Sequence, residues 1–236
     1  MVVEEYKSKE RPPVFTFMYG SDFIVCEFLL SSLSPERNYP LFFNHHSIKE
    51  IPLTTNYIFY NTEQLTRDCE KRDVLNLIKT YPQIVEIWDY SEINCEILKK
   101  EGIANIKYVP FTLTPYLRSF YSPFVHKQKK YDIGFCGSES KRRIDILNKL
   151  REKGFTVHFV KQVYMWNRDI ELSKCKLLLN IHYGEDFHVF EKTRCEAWLS
   201  VGYPLISEIS ADTDSRCIAN VPYDRLVETV TKYLTE

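Results

Sequence analysis

The chain has 236 residues, of which 44% are hydrophobic and 27% charged, as is usual for a globular protein that buries a sizeable core. Its 31 basic and 32 acidic residues nearly cancel, which disfavours a general role in binding nucleic acid or an anionic membrane. Seven scattered cysteines favour reduced thiols. The N-terminus is charged and no apolar run approaches the length of about 18 residues that a membrane span needs, so we predict a cytoplasmic protein with no membrane span.

Short apolar runs alternate with helical patterns through the first 112 residues, and polar or turn residues separate them. Strands are predicted at residues 14–19, 40–46, 56–61, 83–91 and 105–111. Helices are predicted at residues 23–33, 62–81 and 92–102. This alternation is typical of a parallel sheet with helices on its faces.

The alternation of predicted strands and helices stops at residues 113–130, which contain two prolines and a basic end, and we predict an interdomain linker there. It restarts with strands at residues 131–137, 155–160, 176–183, 203–208 and 216–221. Helices are predicted at residues 140–154, 167–175, 190–202 and 222–236. The chain therefore reads as α/β, with two Rossmann-like halves at residues 1–112 and 131–236.

Ligands of open α/β sheets bind beyond the carboxyl ends of the strands, so the residues that follow each strand are the most informative. In the second half, the loop after the first strand brings a glycine, hydroxyls and cations to a helix N-terminus, which suits a diphosphate. The candidates there are Gly137, Ser138, Arg142 and Arg143. The alternative is an ordinary helix N-cap whose basic residues are solvated.

Two histidines and a tyrosine also lie where such a ligand would bind. His182 and Tyr183 end the most apolar predicted strand, and His182 has either a ligand-binding or a purely structural hydrogen-bonding role. His188 precedes the helix at residues 190–202 and can donate to a ligand phosphate. The sequence contains neither G-x-x-x-x-G-K-[ST] nor G-x-G-x-x-G, so the common phosphate-binding motifs are excluded.

In the first half, carboxylates follow three of the predicted strands. Asp22 follows the Gly20-Ser21 turn, Glu63 lies in a run of four polar residues, and Asp89 ends a strand. Each is a candidate base for a substrate hydroxyl. The polar run at residues 61–64 is expected to line the wall of a cleft.

Six segments, taken together, resemble glycosyltransferases of the two-Rossmann (GT-B) type, and most closely the group-1 and CgeB-like glycosyltransferases of bacteria and large DNA viruses. They are YNTEQL, WDYSEINCEILKKEGIANIKYVPF, YDIGFCGSESKRRIDILNKL, SKCKLLLNIHY, FEKTRCEAWLSVGYPLISE and YDRLVETVTKYL. They occur in the family's order and cover most of residues 57–236. The resemblance implies two halves that face each other across a cleft.

The resemblance also implies a hexosyl- or pentosyltransferase that takes its sugar from a nucleotide-diphospho-sugar, with no cofactor and no required metal. The donor would bind the second half and a glycan or other hydroxyl acceptor the first. Glu196 matches the family glutamate that accepts from the ribose hydroxyls, and Glu191 and Arg194 match a charged pair at the start of the same helix. His188 stands where many retaining relatives have a second glutamate, which disfavours a retaining mechanism.

Two alternatives remain open: another sugar-nucleotide enzyme, and a non-catalytic module that binds nucleotide sugars. The near-neutral charge makes a nucleic-acid acceptor the least favoured of the acceptors.

Overall fold

The computed structural model describes residues 41–43, 56–111, 115–161, 163 and 165–236. It divides the chain into two compact units, residues 1–112 and residues 113–236. The strand and helix predicted at residues 14–19 and 23–33 lie outside the described residues, as does Asp22.

The first unit contains a parallel sheet of four strands in the order β1-β2-β3-β4. Its elements are β1 (Leu41–Phe43), β2 (Tyr57–Asn61), α1 (Asp68–Thr80), β3 (Ile84–Asp89), α2 (Glu92–Lys100) and β4 (Ile106–Tyr108). Phe59 lies opposite Ile87 in the β2–β3 register, and both belong to a buried cluster with Val74 of α1 and Leu98 of α2. The helices therefore cover the sheet, as the sequence pattern predicts.

The second unit contains a parallel sheet of five strands in the order β6-β5-β7-β8-β9. Its strands are β5 (Tyr131–Cys136), β6 (Val157–Val160), β7 (Cys175–Asn180), β8 (Leu205–Glu208) and β9 (Ala219–Val221). Its helices are α3 (Pro115–Val125), α4 (Lys141–Glu152), α5 (Met165–Leu172), α6 (Lys192–Leu199) and α7 (Leu226–Thr235), with a short 3₁₀ turn at Tyr223–Arg225. The predicted α/β class with parallel sheets is confirmed.

One core cluster joins this sheet to α4 and α7. Its central members on the strands are Ile133, Phe135, Leu177, Leu179 and Ile206, and those on the two helices are Ile146, Leu147, Leu150, Leu226 and Val230. Three consecutive leucines, at residues 177–179, are buried in β7 without alternation, because both faces of a central parallel strand are covered.

The predicted linker at residues 113–130 is corrected by the structure, which folds Pro115–Val125 into α3 as part of the second unit. Tyr121 and Phe124 of α3 pack on Trp198 of α6, with ring centroids 5.2 and 5.9 Å apart. The Tyr121 hydroxyl also donates to the buried Asp169 carboxylate over 2.5 Å. Sequence analysis interpreted the two prolines of this segment as a break in regular structure. Pro115, however, is the first residue of the helix, a position where proline is tolerated.

No helix in the described part of the chain combines the length and the apolar character that a bilayer crossing requires.

Close packing between β5 and β7 gives a test of the second unit's core. A Cβ atom on Gly134 would lie 2.7 Å from both Cys175 Sγ and Leu178 Cδ2. We therefore expect Gly134→Ala to lower the free energy of unfolding by about 1–3 kcal/mol, because overpacking outweighs the entropic benefit of alanine. Urea denaturation would measure this. Cys175→Ala in the same chain should restore part of the loss, and an unchanged or raised unfolding midpoint in Gly134→Ala would contradict the packing.

Candidate functional site: an arginine cradle at the switch point

The order of the strands locates a crevice in the second unit. From β5 the chain crosses to β6 on one side, whereas from β7 it crosses to β8 on the other, so the connections diverge between β5 and β7. In open α/β sheets this divergence opens a crevice at the carboxyl ends of the two strands, where ligands bind. The loops at this point are residues 137–140 and residues 181–183, which include four of the predicted site residues.

Arg143 bridges these two loops. It lies in the first turn of α4, and its side chain is only 3% exposed. Its Nε donates to the carbonyl of Ile181 over 2.8 Å, and its Nη1 donates to the carbonyl of Ser138 over 3.0 Å. Its Nη2 donates to Glu191 Oε1 over 3.0 Å. The guanidinium therefore holds together the ends of β5 and β7 and the start of α6.

Arg194 of α6 approaches the same place. Its side chain is 13% exposed, and its guanidinium lies 5.6 Å from the centre of the Phe135 ring and contacts the Glu191 carboxylate. Its Nη1 is buried and finds no hydrogen-bond partner among the residues that the structure describes. A buried donor without a partner is unfavourable, and a bound anion would satisfy it.

Gly137 completes the arrangement. Its φ is +138°, and a Cβ atom there would lie 3.1 Å from Arg143 Nη1 and 3.3 Å from Arg194 Nη1. Both guanidiniums therefore point at a stretch of exposed backbone that carries no side chain. We call Gly137, Arg143 and Arg194 the arginine cradle.

The cradle carries a net positive charge. Burial lowers the pKa of Arg143 to about 10, and burial together with the positive charge of Arg143 lowers the pKa of Arg194 to about 10. Both side chains remain protonated at neutral pH. Among the described residues, the two cations contact one carboxylate, that of Glu191, and an excess of buried positive charge at a strand end suits an anionic ligand.

The alternative of solvated basic residues applies to Lys141 but not to the two arginines that follow it. Lys141 is 89% exposed and pairs with Asp145, whereas Arg142 is 17% exposed. Ser140 caps α4 by accepting from the Arg143 amide over 3.3 Å. The loop is thus an N-cap as well as part of the cradle.

Arg142 is committed to a different partner. Both of its Nη atoms donate to the Glu208 carboxylate at the end of β8, one of them over 2.6 Å, and its guanidinium lies 3.9 Å from the centre of the Tyr223 ring. Arg142 therefore ties α4 to β8 rather than facing the cradle. Sequence analysis did not select Glu208 as a site residue, since a pairing across 66 positions leaves no local signal.

His182 joins this second network. Its amide donates to Glu208 Oε2 over 3.0 Å, and its Nε2 lies 3.1 Å from Ser210 Oγ and 3.3 Å from the carbonyl of Ile209. Its Nδ1 is buried, with no partner within the described part of the chain. Burial lowers the pKa of His182, so the imidazole is neutral at pH 7. The structural and the ligand-binding role both remain open.

Tyr183 and His188 are accessible. Tyr183 is 42% exposed, and the Arg143 guanidinium lies 5.4 Å from the centre of its ring. The carbonyl of His188 accepts from the amide of Ala211 over 2.8 Å. Tyr183 therefore lies beside the cradle, and His188 belongs to the segment that leads into α6.

Glu196 is placed differently from expectation. It is 7% exposed, and its two oxygens accept from Arg216 over 2.9 and 2.6 Å, while Oε1 also accepts from Ser200 Oγ over 2.6 Å. Arg216 is held in turn by Asp214 over 2.6 Å. The carboxylate that the resemblance assigns to ribose is thus occupied by Arg216, which sequence analysis did not select.

Asp89, one of the candidate bases in the first unit, is fully buried. Its carboxylate accepts from Asn61 Nδ2 over 2.7 Å, from the Ser91 amide over 2.8 Å and from Asn94 Nδ2 over 3.1 Å. Burial raises its pKa to about 7 despite these donors. A base must reach the substrate hydroxyl, so this burial disfavours Asp89 as the base, although that assignment stays a prediction.

The run at residues 61–64 contributes to the same network, and its place in the wall of a cleft stays a prediction. Asn61 is fully buried, and the carbonyl of Glu63 accepts from Asn61 Nδ2 over 2.9 Å and from Asn94 Nδ2 over 2.8 Å. The Glu63 residue itself is partly exposed, which makes it the more accessible of the two described candidate bases.

A groove of about 550 Å³ lies elsewhere in the second unit, between α4 and α7. Lys149, Lys153 and Lys232 line it together with Asp224 and Glu228. Its charges are mixed and point to no single ligand, so the strand ends where the arginines converge are the better candidate site.

Comparison with known proteins finds relatives in a giant virus. The chain is similar to uncharacterized protein L140 of Acanthamoeba polyphaga mimivirus, at 32% identity over 76% of this chain and 60% of that protein. It is also similar to uncharacterized protein L138 of the same virus, at 32% identity over 73% of this chain but only 20% of that protein. Uncharacterized protein R358 is 27% identical over 92% of this chain and 80% of its own length.

The chain thus spans less than two thirds of the length of L140 and about a fifth of that of L138. No family model matches the chain. No solved structure matches it significantly.

The burial of Asp89 has a consequence for stability. With a pKa of about 7, the native carboxyl holds a proton that the unfolded chain releases above about pH 4, so its contribution is full below pH 4 and is lost as the pH rises through 7. We expect the free energy of unfolding of the wild type, relative to Asp89→Asn, to fall by about 2–4 kcal/mol between pH 4 and pH 7. Urea denaturation followed by circular dichroism at each pH tests this. A difference that stays constant or grows with pH would contradict the assignment.

Proposed function

We propose that the protein is a glycosyltransferase of the two-Rossmann type that uses a nucleotide-diphospho-sugar as donor. The observation that carries the proposal is the arginine cradle, in which two buried guanidiniums converge on the exposed backbone of Gly137. The cradle lies at the switch point of a parallel sheet, where dinucleotides and related ligands bind in such folds. It gives a physical reason for the diphosphate site that the sequence resemblance implies.

The chemistry of sugar transfer fits this arrangement. Breaking the bond between sugar and diphosphate develops negative charge on the leaving phosphate oxygen. Preorganised cations aimed at that charge lower the barrier, and they act most strongly where water is excluded. Arg143 is locked by two main-chain carbonyls, so it needs little reorganisation when charge develops. In this proposal the guanidiniums neutralise the diphosphate without a metal.

The roles of the other candidate site residues are proposed from the family resemblance and from how exposed their side chains are. Glu196 would accept from the ribose hydroxyls once Arg216 or Ser200 yields a position on its carboxylate, and Tyr183 and His188 would lie along the ligand. The first unit would bind a glycan or another hydroxyl acceptor. Glu63, which is partly exposed, or Asp22 would remove the proton from that hydroxyl in an inverting reaction.

A second candidate function is a non-catalytic module that binds nucleotide sugars. The complete burial of Asp89 favours it, because one of the three carboxylates proposed as a base is withdrawn from any acceptor. Incubation with UDP-, GDP- and dTDP-sugars separates the two candidates: a transferase releases some sugar to water, whereas a binding module releases none.

The cradle is tested by Arg194→Gln, which removes one cation and leaves the hydrogen bonds of Arg143 in place. We expect the Kd for the nucleoside diphosphate that binds best to rise by about 10- to 100-fold, since a hydrogen bond to a charged group contributes about 1.5–3 kcal/mol. Isothermal titration calorimetry across UDP, GDP and dTDP measures this.

The matched control for that titration is Arg225→Gln, because Arg225 is 62% exposed and pairs with Glu228 on the surface. Its Kd should equal that of the wild type. Unchanged affinity in Arg194→Gln, or an equal loss in both variants, would refute the cradle as the diphosphate site.

A further inference from the structure

Glu191 is the only carboxylate in contact with the arginine cradle among the described residues. It occupies the N-cap position of α6, yet its side chain makes no capping hydrogen bond and turns instead to the two arginines. Its side chain is 16% exposed, so it lies at the mouth of the cluster rather than deep inside it. The resemblance implied only that Glu191 belongs to a charged pair, and a carboxylate cannot itself bind a phosphate by donating to it.

The position of Arg143 does not depend on Glu191. Its Nε and Nη1 donate to the main-chain carbonyls of Ile181 and Ser138, and only Nη2 donates to the carboxylate. The Arg194 side chain is likewise buried against Phe135 and Gly137. Removing the Glu191 charge therefore leaves both main-chain hydrogen bonds of Arg143 and the ring contact of Arg194 available.

A phosphate that enters the cradle needs the same two cations that Glu191 now neutralises. Glu191 contacts the Nη2 atoms of Arg143 and Arg194, whereas their Nη1 atoms face Gly137. The phosphate would accept from Arg194 Nη1, which has no partner among the described residues. Two anions in contact in a buried place repel each other strongly, because the screening by water is lost there. Ligand and carboxylate therefore compete for one pair of cations.

We propose that Glu191 is a built-in counter-anion that neutralises the arginine cradle when the site is empty and gives way when a diphosphate binds. It lowers the affinity for the nucleoside diphosphate and, by returning to the arginines, speeds release of that product. This inference rests on the proposed function, since it assigns a role in the turnover of the same site. No covalent step is involved.

The test uses inorganic pyrophosphate as the probe and the full chain as the protein. Isothermal titration calorimetry is performed on the wild type, on Glu191→Gln and on Glu228→Gln, in which the replaced glutamate is a 66% exposed residue of α7. Glu191→Gln should bind pyrophosphate about tenfold more tightly than the wild type, because a like charge has been removed from the site. Glu228→Gln should bind as the wild type does.

Equal or weaker binding by Glu191→Gln would overturn the inference, since a residue that positions the arginines for the ligand would lose affinity when neutralised. If the wild type binds pyrophosphate and Glu191→Gln is not tighter, only this inference fails. If no variant binds pyrophosphate or any nucleoside diphosphate, the proposed function fails with it.

A second measurement needs no variant. In the wild type, saturating pyrophosphate should slow amide hydrogen exchange at residues 137–143 and quicken it at residues 191–195, because the carboxylate that anchors the start of α6 is released. Unchanged or slower exchange at residues 191–195 on binding would show that Glu191 stays in place, which contradicts the inference.

Discussion

The candidate site depends on one buried cation. Arg143 reaches from the first turn of α4 across the crevice between β5 and β7 and donates to a carbonyl on each side. A buried charge is tolerated only where its donors are satisfied, so this guanidinium fixes the ends of both strands as well as its own position. The same side chain contacts Glu191 at the start of α6. A single residue thereby joins the ends of two strands to the starts of two helices.

The rest of the second unit holds α6 in place so that Arg194 can meet Arg143. Trp198, two turns from the start of α6, is buried against Tyr121 and Phe124 of α3 and lies 4.8 Å, between ring centroids, from Tyr203. Aromatic pairs of this kind add to the free energy of burial and restrict the position of the helix. The aromatic packing of Trp198 near the end of α6 therefore helps to hold Arg194, near its start, beside Arg143. The short helix needs this support, because eight residues give little stability alone.

Sequence reasoning recovered the α/β alternation because burial leaves a periodic trace in the chain. It also found Gly137 and Arg143, since residues that follow a strand and open a helix can be located without knowing the strand order. It missed α3, whose prolines read as a break, and it missed Arg216 and Glu208 as partners of Glu196 and Arg142. The two residues of each pair lie far apart in the sequence, so no local sequence pattern indicates that they interact. The burial of Asp89 likewise depends on contacts with Asn61, 28 positions away, which the sequence does not reveal.

The most direct measurement of the central claim is a crystal structure of the full chain with pyrophosphate. We expect the anion against the backbone of Gly137, with its oxygens within about 3 Å of the Nη atoms of Arg143 and Arg194. An anion bound instead in the groove lined by Lys149, Lys153 and Lys232, with the cradle still closed by Glu191, would contradict the account.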